Sequence, residues 1–316
     1  MTVDRVANNA QAQYMLSQIM RANTALDTTQ AQVASGKAST DYVGIGSKTG
    51  ALEAARAAAA RADAYQSNTQ LAVTQTDLQD TQLTTLSSLA KQLKQAVTTA
   101  AGNGDGTNLM ATAQSVFEQA SAILNSTDSN GNYIYGGGQG NTKPFTATSL
   151  SDLATGSVSS YFQNGSQKKS VMVGDGQSVQ IGVLASDIGT GLMTALKNLA
   201  SADSPSGSLD SQLTGTQTAN LTNNILPSAT SAYTGLNTIT ATNGDTYNRL
   251  KDAVTNQQSQ STLYQGFVSD IEDVDMTQAI SKLNQNQVAL QAALEVTSKL
   301  GQLSLLNYLP ATTATG

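Results

Sequence analysis

Residues 51–65 read ALEAARAAAARADAY, and they decide the fold. Ala, Leu, Glu and Arg give up little side-chain freedom in a helix, and the run holds no Gly or Pro. Downstream, Leu71, Leu78, Leu86, Leu89, Leu93 and Val97 recur mostly at helical spacing. The spacing predicts one helix from about 50 to 101, roughly 75 Å long at 1.5 Å per residue. GNGDGTN at 102–108 ends it as a turn. A shorter helix follows, with Leu109, Val116, Phe117, Ala120, Ile123 and Leu124 along one side.

The prolines punctuate the rest. They stand at 144, 205, 227 and 310, so 1–143 and 228–309 are free to be helical. Between about 131 and 190 the character changes. NYIYGGGQGNTKPF is Gly-rich and unsuited to helix, and YFQNGSQKKSVMVGDGQSVQIGVLA reads as short strands. The joints fall at Asn164-Gly165 and Gly174-Asp175-Gly176, pairs that adopt the positive φ of hairpin turns. Helical spacing returns from about 191 with Leu192, Leu196 and Leu199, then over about 228–263 and from Met276 to Leu306.

These readings predict a mainly α chain. Its N- and C-terminal segments form a long antiparallel helical hairpin or coiled-coil bundle, with a small β-rich inserted domain between them. Residues 1–45 are expected to pair with 276–316. Residues 46–130 plus 205–275 form a long-helix core, and 131–204 an outward-facing β-rich insert with a short helix, outside the helical core. The pairing stripes are Leu16, Ile19, Leu26 and Val33 near the N-terminus, and Ile280, Leu283, Leu290 and Leu294 in the last helix. Leu305 and Leu306 close that helix. Four large aliphatics do not offset the entropy of ordering a helix of that length, so each terminal helix needs the other and neighbouring molecules.

Composition excludes whole chemistries. There is no His and no Cys, so no His general base, thiolate nucleophile, zinc cage or disulfide can form. Aromatics are 4% and charged residues 12%, which suits thin helical packing better than a thick core. Net charge is −6, and the basic residues are scattered, so no nucleic-acid partner is expected. No apolar run approaches the roughly 18 residues a membrane span needs, and MTVDRVANNAQAQYM lacks the apolar core of a cleavable signal peptide.

Local motifs resolve to bland readings. Asp128-Ser-Asn130-Gly-Asn132 starts like a calcium loop, but Tyr133 and Gln139 occupy its glycine and bidentate-glutamate positions. Gly44-Ile-Gly46-Ser-Lys48-Thr49 lacks the first glycine of a phosphate loop, since Tyr42 stands there. Ser88-Leu-Ala-Lys91 and Lys48-Thr-Gly50 imitate serine β-lactamase fragments in the wrong chain order. The acidic group Asp270, Glu272, Asp273 and Asp275 reads as a helix start favoured by the macrodipole rather than a carboxylate pair or cation site. No catalytic residue, cofactor or metal is predicted, and no enzyme.

The C-terminal segment Ser269-Asp-Ile-Glu-Asp-Val-Asp275-Met, followed by QAISKLNQNQVALQAALEVTSKLGQLSLLNYL, resembles the end of the flagellin superfamily. The shared features are Ile271, Glu272, Asp273 and Asp275, then Gln287, Leu290, Gln291 and Ala292, then Leu305 and Leu306. Gly244-Asp-Thr-Tyr-Asn248-Arg249-Leu250 is similar to that superfamily's G-x-x-x-N-R-L. Val33-Ala-Ser35-Gly36-Lys37 resembles the turn closing its first helix, although the usual double Asp after the turn is reduced to Asp41. Asn132-Tyr-Ile-Tyr135-Gly136-Gly137 with Asn141-Thr142-Lys-Pro144-Phe145 is closer to the members at the junction of hook and filament than to the filament subunit, which is the alternative. The resemblance implies a structural, self-associating flagellar protein. It also implies export through the flagellar type III channel without a cleaved signal, an export chaperone, and hook-associated proteins and flagellin as neighbours. The rival from another class is a secreted helical adhesin or enzyme that shares only coiled-coil texture.

Overall fold

A computed structural model describes residues 2–203 and 207–306, with side chains at 10–203 and 207–299. The helices are α1 (Thr2–Ser35), α2 (Tyr42–Ile45), α3 (Thr49–Asn103), α4 (Leu109–Leu124), α5 (Leu150–Thr155), α6 (Ala185–Asp203), α7 (Gly215–Asn220), α8 (Leu226–Glu272) and α9 (Met276–Leu306). Strands β1 (Ser170–Gly174) and β2 (Gln177–Gln180) form an antiparallel pair. The architecture is mainly helical with a small two-stranded sheet, as the apolar spacing predicts. The chain divides into two compact units, one made of 1–60 with 260–316, the other of 61–259.

The 61–259 unit has a leucine-rich core. On α3 the buried residues Leu83, Leu86, Ala90, Leu93, Val97 and Ala100 alternate steps of three and four, which keeps one stripe against its neighbours. Phe117 and Leu124 of α4 and Ile188, Leu192 and Leu196 of α6 fill the same cluster. The Phe117 and Phe145 rings meet edge to face at 6.3 Å.

The segment 131–204 is not a separately cored insert. Tyr135, Phe145, Leu150, Leu153 and Val158 are buried in the same cluster as α3 and α4. Tyr135 and Phe145 stand singly in loop sequence and Leu150 and Leu153 on the six-residue α5, too short to show a lasting period, so only the fold reveals that they face one core. Tyr135 also donates its hydroxyl to Gln82 Oε1, and burial pushes that phenol well above the ordinary tyrosine range. The hairpin is no outward decoration either. Val173 and Val179 bury against Ala72, Val73 and Leu250, and Gln257 donates to the Val173 carbonyl at 2.9 Å.

Of the two expected hairpin joints, only Gly174-Asp175-Gly176 is one, with Gly176 at φ +68°. Asn164-Gly165 is a loop whose Asn164 side chain bonds Ser186 through both its amide atoms. Gly165 approaches Gly137 so closely that a Cβ on it would lie 2.2 Å from the Gly137 carbonyl oxygen, which explains a glycine at each place. Helix α6 begins at Ala185, ahead of the expected 191, because Ala185, Ile188 and Gly189 already bury there. Pro227 lacks the donor an α ladder needs, and the chain passes through a π turn at Leu221–Ile225 just before it. From there α8 runs to Glu272, beyond the expected 263.

Candidate assembly surface

Within the 1–60 and 260–316 unit, α1 ends at Ser35 because Gly36 turns left-handed, at φ +71°. The turn is tied to the end of α8 by backbone bonds: Ala38 N donates to Glu272 O at 2.6 Å, and Val274 N to Gly36 O at 3.0 Å. The Glu272 carboxylate, 11% exposed, pairs with Lys37 at 3.5 Å and with the Arg56 guanidinium. Arg56 also pairs with Glu53 at 3.1 Å. Partial desolvation works to lower the Arg56 pKa, but the charges of Glu272, Tyr42 and Glu53 outweigh it and raise the value. Residues more than two hundred positions apart are thus clasped, and the SGK and IEDVD motifs turn out to be its two halves.

The acidic group resolves residue by residue. Glu272 is in the clasp and Asp273 accepts from Ser269. Asp275 caps α9, accepting from the amides of Thr277 at 2.9 Å and Gln278 at 3.2 Å. Among the described residues no group of His, Cys, Asp or Glu could hold a metal ion. Asp128 accepts from the amides of Asn130 and Asn132 as a polar turn, and Asp41 caps α2 through Gly44 N. Lys48 ends a short 3₁₀ turn.

Helices α1 and α9 pack on each other. The inward residues of α9 are Ala279, Leu283, Asn286, Leu290, Ala293 and Thr297, alternating steps of four and three. Those of α1 are Met15, Gln18, Ala22, Ala25, Thr29 and Gln32. Asn286 donates to the Ala25 carbonyl at 3.2 Å and to Thr29 Oγ1 at 3.3 Å, a polar lock in the middle of the seam. Leu283 and Leu290 therefore face the seam, and Ile19, Leu26 and Val33 are half-buried along it to the same degree as Gln18, Ala25 and Gln32. Leu16, Ile280 and Leu294 do not enter it; they are 58%, 46% and 51% exposed. The side chains of Leu305 and Leu306 lie outside the described residues. The seam mixes Met15, Leu283 and Leu290 with small and polar residues, whereas Leu16, Ile280 and Leu294 lie outside it. Its three–four alternation was the available signal, had Ala, Thr and Asn been counted with the leucines.

A furrow runs beside this seam. At one end it is apolar, with a cavity volume of about 630 Å³ lined by Tyr14, Met15, Ala292 and Val296 among others. Farther along α1 it becomes basic, where Arg21 and Lys282 line a second stretch of about 560 Å³. Tyr14 and Val296 are 65% and 52% exposed, and Val288 and Met20 add to the uncovered apolar surface. No helix of the described residues is long and apolar enough to cross a membrane.

Residues 226–309, a stretch that includes α8 and α9, match the model of the family described as the bacterial flagellin C-terminal helical region. The fold is similar to that of a Vibrio parahaemolyticus protein assigned as a flagellar hook-associated protein, at 15% identity and a TM-score of 0.59, over 74% of this chain and 99% of that one. It is also similar to Bacillus cereus FlgL, at 18% identity and a TM-score of 0.51, over 69% and 98%. No curated protein matches the sequence significantly.

Proposed function

We propose that this chain is a structural, non-enzymatic subunit of the bacterial flagellum that self-associates where hook meets filament. The observation that carries the reading is the terminal helix pair. Its seam holds Leu283 and Leu290 beside small and polar residues, while Leu16, Ile280 and Leu294 are left exposed to solvent. Such surface is stabilised when neighbouring subunits cover it. The flagellin-type C-terminal region supports the flagellar setting, and the likeness to hook-associated folds supports the junction. In this reading the chain travels through the flagellar export channel unfolded, with no cleaved signal, and an export chaperone covers the apolar flanks beforehand. Its neighbours in the tube are further copies, other hook-associated proteins and flagellin. Filament subunit is the second reading, favoured by the match of α8 and α9 to the flagellin region itself.

Complementation of a deletion strain tests the proposal. The native gene should restore filaments, and the strain without it should carry bare hooks. Leu290→Pro should fail to complement, because proline in mid-helix removes a donor and clashes with the preceding turn, at ~3 kcal/mol or more. Normal filaments in the deletion strain, or with Leu290→Pro, would overturn the reading.

A further inference from the structure

The furrow and one stripe of α8 match each other. On the last turns of α8, Leu263, Phe267 and Asp270 share a face, with Leu263 55% and Phe267 47% exposed. The furrow runs from apolar at Tyr14 and Val296 to basic at Arg21 and Lys282. The step from Leu263 to Asp270 along α8 equals that from Tyr14 to Arg21 along α1, roughly 10 Å at 1.5 Å per residue. The charges are opposite, and neither Arg21, Lys282 nor Asp270 has an ion pair among the described residues. Within one chain the two surfaces do not meet. The α1 turn at Gly36 is the part bonded to the α8 end, and Tyr14 lies roughly 33 Å back along α1 from it.

We infer that the furrow between α1 and α9 receives the Leu263–Phe267–Asp270 face of α8 from a second copy of this chain. Apolar residues pack at one end, and Asp270 faces Arg21 and Lys282 at the other. The two patches differ, so the contact is heterologous: it closes into a ring if the rotation closes and extends as a helix if it does not. This rests on the proposed self-association and specifies the surfaces that carry it.

The chain has no cysteine, so introduced thiols report a single pair. Tyr14→Cys and Leu263→Cys are at exposed positions that this register sets opposite each other, and a disulfide needs Cα atoms within about 7 Å. In flagella isolated from the deletion strain and oxidised, a chain carrying both substitutions should give a ladder of dimers and larger species. Either substitution alone should give none. Arg21→Glu should cut the cross-linked fraction roughly tenfold, and adding Asp270→Arg to the same chain should restore it. Flagella that contain the double-cysteine chain but give no ladder would overturn this contact and leave the flagellar role standing. A cross-link to a different protein would overturn the second copy as occupant. Absence of the native chain from flagella would overturn the functional reading and the contact together.

Discussion

The α1–α9 pair and the core of the 61–259 unit are both helix packings with three–four alternation, yet they bury different things. In the core, Leu83, Leu86, Leu93, Phe117, Leu192 and Leu196 are at or near zero exposure. In the terminal pair Ala22, Ala25, Thr29, Ala279 and Asn286 share the seam with Leu283 and Leu290, which are only half-buried, and Leu16, Ile280 and Leu294 stay largely wet. The core holds itself by apolar burial. The terminal pair is held in register by a polar lock and an ionic clasp, and leaves its apolar area for something else. Identical periodicity therefore says that a helix packs, while side-chain size says whether the packing is sufficient alone.

The largest expected effect breaks the core. Replacing residues 146–190 with a Gly/Ser linker removes Leu150, Leu153, Val158 and Ile188 from the buried cluster. At ~1.5–3 kcal/mol per buried aliphatic, the loss is comparable with the whole ~5–15 kcal/mol of a domain's stability. Circular dichroism should show the 61–259 unit unfolded. Retained cooperative melting would mean that the segment is dispensable to the core after all.

A smaller effect should come from the clasp. Glu272→Gln keeps the size of the side chain and removes the charge facing Lys37 and Arg56. Amide exchange at Ala38 and Val274, whose bonds close the turn, should quicken severalfold, with the core amides unchanged. The gain is limited because both cations are over a third exposed, and solvent screens what it reaches. Unchanged exchange would show that the backbone bonds alone hold the turn.

The smallest effect on the isolated chain belongs to Leu16→Ala and Leu294→Ala, within about 0.5 kcal/mol by denaturant unfolding, since both side chains are mostly in water already. Their incorporation into flagella should nevertheless fall sharply. A stability loss of the size seen for a core leucine would place them inside the subunit's own packing.

Helix positions were the most legible part of the sequence. The Ala-rich run, the Gly-rich break at 102–108 and the start of α9 at Met276 follow from propensity and spacing, which act between residues close in the chain, while the turn at Gly36 was legible through the resemblance. The candidate surface was legible in part: Leu283 and Leu290 were on the pairing face, while Leu16, Ile280 and Leu294 were beside it. A one-position choice on a helix rotates a side chain by about 100°, so large aliphatics alone could not say which stripe is inside.

By itself the sequence determined that this protein is built of long helices, lacks histidine and cysteine chemistry, breaks its longest helix at 102–108 and opens its last near Met276. These are properties of composition and of neighbours within a few residues. Only the tertiary structure decided that Tyr135, Phe145 and Leu150 share a core with α3. It alone brought Glu272 to Lys37 and Arg56, and set Asn286 against Ala25 and Thr29. Each of those contacts joins residues remote in the chain, and no local preference encodes which remote partner a side chain will meet.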